Sequence, residues 1–325
     1  MYPAEGRKSG PQPRRSKRNL ELILRIARMR YEERRAQCDI ARQLRMSEAA
    51  VSRALKAAMD LGLVEIRVQP PLGRDPALER RLRERFPVER VVVVKAERDP
   101  RLTPELVGQA VAEEIAFRLA DDAVIGVGDG ESVAAVARSM PRLWLRNAEI
   151  VPLIGGVGQL DHAAQPTEVA REIAQRVDAR VRHLPVPAVV QSAAAAAELI
   201  AAPAVREAFA AMARCSLALV GVGALDETLS LLQQGVVTAR DLKRMRELGA
   251  IGMICGRAFD GDGRHVSSDF DERLLSASIP LFRDIPIRFA VAFGDRKAPA
   301  IRALLKSGLV NGIGTDAATA RLALG

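Results

Sequence analysis

Apolar residues between Leu20 and Arg35 recur at Leu20, Leu22, Ile23, Ile26, Ala27 and Met29. This is the three-to-four spacing of one helical face, and a second helical period begins at Gln37. Residues 63–68, LVEIRV, alternate as a short strand does, and PPLGRDP then breaks the pattern. Past a predicted helix near 76–86 the rhythm changes. Short apolar, often β-branched runs at 91–94, 123–128, 149–154, 186–190, 217–223, 250–255 and 287–293 alternate with stretches suited to helices. The latter lie at 104–120, 131–140, 167–177, 203–214, 238–248 and 297–307. Such alternation predicts a parallel, doubly wound, Rossmann-like α/β sheet, because parallel strands need crossover helices. No fixed-period repeat is present, which argues against a solenoid. The expected organisation is an arm over 1–18, a small all-α domain with a wing over 19–75, and an α/β domain over 76–325.

Within the small domain, QCDIARQLRMSEAAVSRALK (37–56) has the spacing of a helix-turn-helix. Ala41 falls where two helices approach closely, and Ile40, Leu44, Met46, Val51, Ala54 and Leu55 supply the apolar contacts. Ser47 is placed to cap the second helix by accepting backbone amides. Arg45 occupies the turn position that favours glycine, because its backbone is expected to be left-handed at a cost of about 1 kcal/mol. The exposed face near the start of the second helix, Ser47, Glu48, Ala49, Ser52, Arg53 and Lys56, would enter a major groove of double-stranded DNA. Arg53 suits guanine best, since its fork matches O6 and N7. Glu48 either accepts from cytosine or offsets the helix dipole.

Charge agrees with that reading. Of the 49 Lys+Arg and 40 Asp+Glu, residues 1–75 hold 17 and 9, and the rest of the chain holds 32 and 31. A positive end on a near-neutral body suits phosphate contact, to which Arg14, Arg15, Lys17 and Arg18 of the arm would add. Only 3% of residues are aromatic against 48% hydrophobic, as expected of a helix-covered sheet. Cys38, Cys215 and Cys255 suggest neither a disulfide framework nor a zinc site. With no export signal or apolar run of membrane length, a cytoplasmic location is expected. Cys38 reads as a small buried hydrophobe.

The stretch VIGVGDGESVAAVA (124–137) reads as strand, glycine turn, helix, so Gly126, Gly128 and Gly130 let backbone approach a ligand at a helix start. LIGGVG (153–158) and VGVGAL (220–225) also follow strands, and the carboxyl ends of parallel strands are where such sheets bind ligands.

Taken in order, the helix-turn-helix segment, GVGDGES, VPLIGGVG, GAIGMICGRAFDGDG and FGDRKAPAIRALLKSGLVNGIGTDAATA resemble the SorC family of bacterial sugar-responsive regulators, from about residue 20 to the end. The resemblance implies a winged helix-turn-helix, then an effector domain similar to sugar-phosphate isomerases. It also implies a homo-oligomer, dimer or tetramer, that binds an operator and a sugar, polyol or sugar phosphate. Carried over, Gly128, Asp129, Gly130, Glu131 and Ser132 match the first ligand loop and Gly155, Gly156 and Gly158 the second. Asp260 and Asp262 match a third segment, or only form an Asp-Gly turn. Lys297 matches the lysine after the last glycine turn, as an anion anchor or as a neutraliser of nearby carboxylates.

Two departures stand out: the family commonly has Trp and Arg where this chain has Asp129 and Glu131, and Gly where it has Phe293. Added carboxylates repel a phosphate, so a neutral polyol is as fitting an effector as a phosphosugar. No cofactor is implied, and no bidentate Glu follows Asp260 and Asp262 at calcium-loop spacing, so no metal is expected. The alternative is an isomerase- or deaminase-like enzyme fused to a DNA-binding domain, with Asp129, Glu131 or Asp226 and a histidine as acid and base. No nucleophile motif or acid/base constellation stands out, and the expectation is a sensor, not an enzyme.

Overall fold

Amphipathic spacing builds the first unit, residues 1–70, around one small core. In a computed structural model that describes residues 13–31, 33, 35–64, 73–95, 100–158 and 164–325, helix α1 runs Pro13–Tyr31, α2 Gln37–Leu44 and α3 Glu48–Asp60. Ile23, Ile26, Ala27 and Met29 of α1 pack with Ile40 and Ala41 of α2 and Val51, Leu55 and Ala58 of α3.

Two expectations need correction here. The arm was expected to run unstructured to residue 18, but α1 already begins at Pro13. Proline is tolerated in a first helical turn, and the Arg and Lys that follow are good helix formers with no breaker among them. Cys38 is exposed, not buried, because it stands in the first turn of α2, on the far side of the helix from Ile40. Residues 1–12 of the expected arm and most of the expected wing strand, 65–68, lie outside the described residues.

The second unit, residues 71–325, starts ahead of the expected 76. Gly73 and Asp75 bond Lys95 and Val93 at 2.6 and 2.8 Å, which ties this segment to the sheet. Strands are β1 (Arg90–Val94), β2 (Val124–Val127), β3 (Glu149–Pro152), β4 (Arg180–Val181), β5 (Leu217–Gly221), β6 (Gly223–Ala224), β7 (Ala250–Ile254), β8 (Arg257–Asp260), β9 (Ile287–Val291) and β10 (Gly312–Asp316). Seven form a sheet in the order β1-β10-β9-β5-β2-β3-β4, with all neighbouring strands parallel. Val92, Val94, Ile125, Val127, Leu217, Leu219, Phe289 and Val291 face one layer of helices. That layer includes α4's successor α5 (Thr103–Ala116), α6 (Glu131–Ser139) and α7 (Pro166–Val177), where α4 is Pro76–Arg85. Val91, Val93, Val124, Ala218, Val220 and Ala290 face the other.

The run at 250–255 does not join this sheet. It is β7, central in an antiparallel sheet β6-β7-β8. Residues 186–190 form only isolated bridges, Gly156 with Pro187 and Val189 with Leu274. In the parallel sheet, β2 leads outward to β3 while β5 lies on its other side, so the winding reverses between β2 and β5. Ligand sites open at the carboxyl ends of such strands.

Candidate functional site

In the first unit, Ser47 has an extended backbone and its Oγ accepts from the Ala50 amide at 3.2 Å, starting α3 cleanly. Arg45 closes α2 in the left-handed region, at φ 52° and ψ 46°, and the next amide, Met46, bonds Ala41 at 2.9 Å. The tight turn leaves Ser47, Glu48, Ala49, Ser52, Arg53 and Lys56 all exposed, with Ser47 and Glu48 at the start of α3 and Ala49, Ser52, Arg53 and Lys56 on the side away from Val51, Leu55 and Ala58.

In the second unit, the carboxyl ends of β2, β5 and β9 open into a cavity of about 190 Å³. Each wall follows from a local feature. After β2 the chain turns through Gly130 at φ 98°, whose carbonyl receives the Val133 and Ala134 amides and so starts α6. The amides of Glu131 and Ser132 lack an intrahelical partner, as first-turn amides do, and both residues line the cavity. Ser132 is buried, whereas Glu131 is exposed. Gly128 and Gly221 keep the walls close: a Cβ on Gly221 would sit 3.1 Å from the Asp129 carbonyl.

After β9, Phe293 and Gly294 lead into the turn Asp295–Lys297. The Gly294 amide donates to Asp316 Oδ2 and Thr319 Oγ1 at 3.2 and 2.8 Å, which fixes the loop that carries Lys297. Lys297 Nζ lies 5.9 Å from the centre of the Phe293 ring.

Asp129 and Lys297 feel each other across this space. Burial pushes the Asp129 carboxyl up to about 6, against the opposing pull of the Lys297 charge. Burial likewise lowers the Lys297 ammonium, while Asp129 and Asp226 raise it. At Asp226, burial is outweighed by the Thr228 hydroxyl and amide and by Arg296, so that carboxylate is held below its ordinary range. The cavity thus joins free amides, a hydroxyl, a desolvated ammonium and a carboxyl poised near neutrality. Hydroxyl groups and an anionic group of one small ligand both find partners there.

Other expected residues lie elsewhere. Gly155, Gly156 and Gly158 do not line this cavity. The Gly155 and Gly156 amides bond Leu275 and Val186 at 2.9 and 2.8 Å, and a Cβ on Gly158 would meet the Gln234 carbonyl at 2.7 Å. The small size of Gly155 and Gly158 serves backbone packing, whereas a Cβ on Gly156 would come no closer than 3.8 Å to the Val186 carbonyl. Asp260 and Asp262 are also outside it. Asp260 Oδ1 accepts the Asp262 and Arg264 amides, both at 2.9 Å, and Asp262 pairs with Lys306 at 2.6 Å. That is the turn-forming role, at the end of β8.

Conversely, Thr228, Ser230, Met253 and Cys255 line the cavity without having been singled out as ligand residues. Cys255 and Gly256, at φ 45° and 75°, form the two-residue turn between β7 and β8, whose left-handed pair matches strand twist. The hydroxyl-bearing DETLS directly after VGVGAL was the available signal for Thr228 and Ser230. Among the described residues, no group of three or more His, Cys, Asp or Glu is arranged to hold a metal, and no helix is long and apolar enough to cross a membrane.

Comparison with known proteins matches these features to one group. A family model described as "Putative sugar-binding domain" fits residues 71–325. The chain is 30% identical over 319 residues to the "Uncharacterized transcriptional regulator YjhU" of Escherichia coli, covering 94% of this chain and 95% of that protein. It is 28% identical to the "Erythritol catabolism regulatory protein EryD" of Brucella abortus, covering 94% and 96%. The crystal structure of the full-length sorbitol operon regulator SorC from Klebsiella pneumoniae superposes with a TM-score of 0.74 at 24% identity, over 94% of this chain and 99% of that one. With a three-helix unit ahead of a parallel-sheet domain and a match running through both, the chain belongs to the SorC family of sugar-responsive transcriptional regulators.

Proposed function

We propose that this regulator reads an operator with the exposed face of α3, as a homo-oligomer on repeated half-sites, and is controlled by a small polyhydroxylated effector held in the cavity at the carboxyl ends of β2, β5 and β9. One observation carries the reading: the free amides of Glu131 and Ser132, the Ser132 hydroxyl, Asp129 and Lys297 line a single enclosure. The relatives that regulate erythritol catabolism and the sorbitol operon support a sugar or polyol, free or phosphorylated, as the effector class. The role is that of a sensor, not a catalyst. In support, Asp226 is held ionised by Thr228 and Arg296, and no histidine among the described residues lines the cavity.

A thermal-shift screen of polyols, sugars and their phosphates tests this, since a specific ligand stabilises the folded state by mass action. Calorimetry between pH 5 and 7.5 then assigns the effector's charge. A neutral polyol donates its hydroxyls to the Asp129 carboxylate, so its affinity falls as pH drops through about 6 and the carboxyl takes up a proton. A phosphorylated effector gains from losing that negative neighbour. In Asp129→Asn the Asp129-linked pH dependence disappears in either case. Binding hits whose affinity is indifferent to both Asp129→Asn and Lys297→Ala would place the effector elsewhere.

A further inference from the structure

Most bulky apolar side chains of the second unit are buried, and Phe259, Phe270, Phe282 and Phe289 are almost wholly so. Two aromatics break the pattern: Phe117 is 91% exposed and Trp144, the one Trp of the chain, is 79% exposed. Both occur at the amino ends of the strands, opposite the effector cavity: Phe117 between α5 and β2, and Trp144 between α6 and β3.

Their exposure is built in. The Leu143 and Leu145 amides bond the Arg176 and Val177 carbonyls at 2.8 and 3.1 Å, and both leucines pack on the core, so the residue between them is turned outward. Ala116 and Leu119 pack inward on either side of Phe117. The two loops are also joined to each other. Arg146 pairs with Asp121 at 2.6 Å, the Asp122 amide donates to the Arg146 carbonyl at 2.8 Å, and Asn147 donates to Asp122 at 3.1 Å. Phe117 and Trp144 therefore stand on one braced pair of loops.

We propose that this aromatic pair is the surface on which a second copy of the chain docks by two-fold symmetry. The proposal deepens the reading of a homo-oligomer on repeated half-sites by assigning a face to it. Size fits: a Trp and a Phe each bury about 150–250 Å², so the pair supplies about half of the roughly 800 Å² per partner that a stable interface takes. Charge fits as well. The same loops and their helix ends carry Arg118, Arg138, Arg142 and Arg146 against Glu113, Glu114, Asp121 and Asp122. A balanced rim of this kind is self-complementary across a two-fold axis, whereas nucleic acid or an anionic membrane calls for a basic one. The position leaves the cavity mouth unobstructed when two copies meet.

Trp144 is its own reporter, because no other Trp contributes to the fluorescence. Sedimentation velocity of the full chain across a dilution series, with acrylamide quenching of Trp emission in parallel, tests the surface. The expected result is an assembled species in which Trp144 is shielded, and shielding lost together with assembly on dilution. Phe117→Ser, which keeps the reporter, should raise the dissociation constant of one assembly step at least tenfold with an unchanged melting curve, and Trp144→Ser should do the same. An assembled wild type whose Trp144 is freely quenched overturns the surface but leaves the oligomer standing. A chain monomeric both alone and on operator DNA overturns both. Shielding of Trp144 in a monomer assigns the patch to another part of the same chain and likewise overturns the proposal.

Discussion

Asp129 carries its charge against its environment. Its carboxyl is raised from an ordinary 3.8 to about 6, so the folded state holds a proton that the unfolded chain releases. Between about pH 4 and 6 the folded state thus binds more protons, and stability declines as pH rises through that window, reaching its full deficit above 6. Asp129→Asn removes the deficit. The ligand-free variant should be more stable than the wild type at pH 7.5, by on the order of 1–3 kcal/mol with the Lys297 attraction already counted in the shift, and equally stable at pH 4. Chemical denaturation at the two pH values checks this; equal destabilisation at both would show that the carboxyl is not strained. In the first unit, Arg53→Ala should weaken specific operator binding by about 1–3 kcal/mol and leave non-specific binding nearly unchanged. A footprint identical to wild type would remove Arg53 from base reading.

At the scale of elements, β10 shows where sequence patterning runs out. Its residues, GIGTD, contain no β-branched run, yet it is a fully buried strand, second from the edge of the sheet between β1 and β9. The glycines are there because the neighbours fill the space: a Cβ on Gly314 would lie 2.1 Å from Val111 Cγ2, and one on Gly312 2.5 Å from Phe289 Cδ2. Gly314→Ala should therefore destabilise the second unit by about 1–3 kcal/mol, measured by urea unfolding, as overpacking of a dense core does. An unchanged midpoint would mean that the sheet relaxes freely around Val111.

The strands at 91–94, 124–127, 149–152, 217–221 and 287–291 were legible because buried parallel strands are continuous apolar runs. The antiparallel placement of β7 was not, since its apolar run is the same whichever sheet receives it. The site followed a similar rule. Asp129, Ser132 and Lys297 were legible from the loop after a strand and before a helix. The second glycine loop lies outside this cavity, and close packing of Gly155 against Val186 and of Gly158 against Gln234 calls for glycine as strongly as a ligand does. Thr228 and Cys255 reach the cavity through a second small sheet that no local pattern announces.

At the scale of the whole molecule, the positive charge concentrated in residues 1–75 predicts a steep salt dependence of DNA binding. Deleting residues 2–18 should flatten the slope of log affinity against log salt. The central claim is that occupancy of the cavity governs operator binding. It is tested most directly by fluorescence anisotropy of an operator duplex, selected from a random-sequence pool by the full chain and titrated with the compound that stabilises the protein. The compound should shift operator affinity at least about 5-fold in the wild type, the coupling expected of two linked sites. In the Asp129→Asn, Lys297→Ala double variant the shift should vanish while affinity for the operator without compound is retained. A full shift in that variant, or saturation of the wild type with no change in operator affinity, would contradict it.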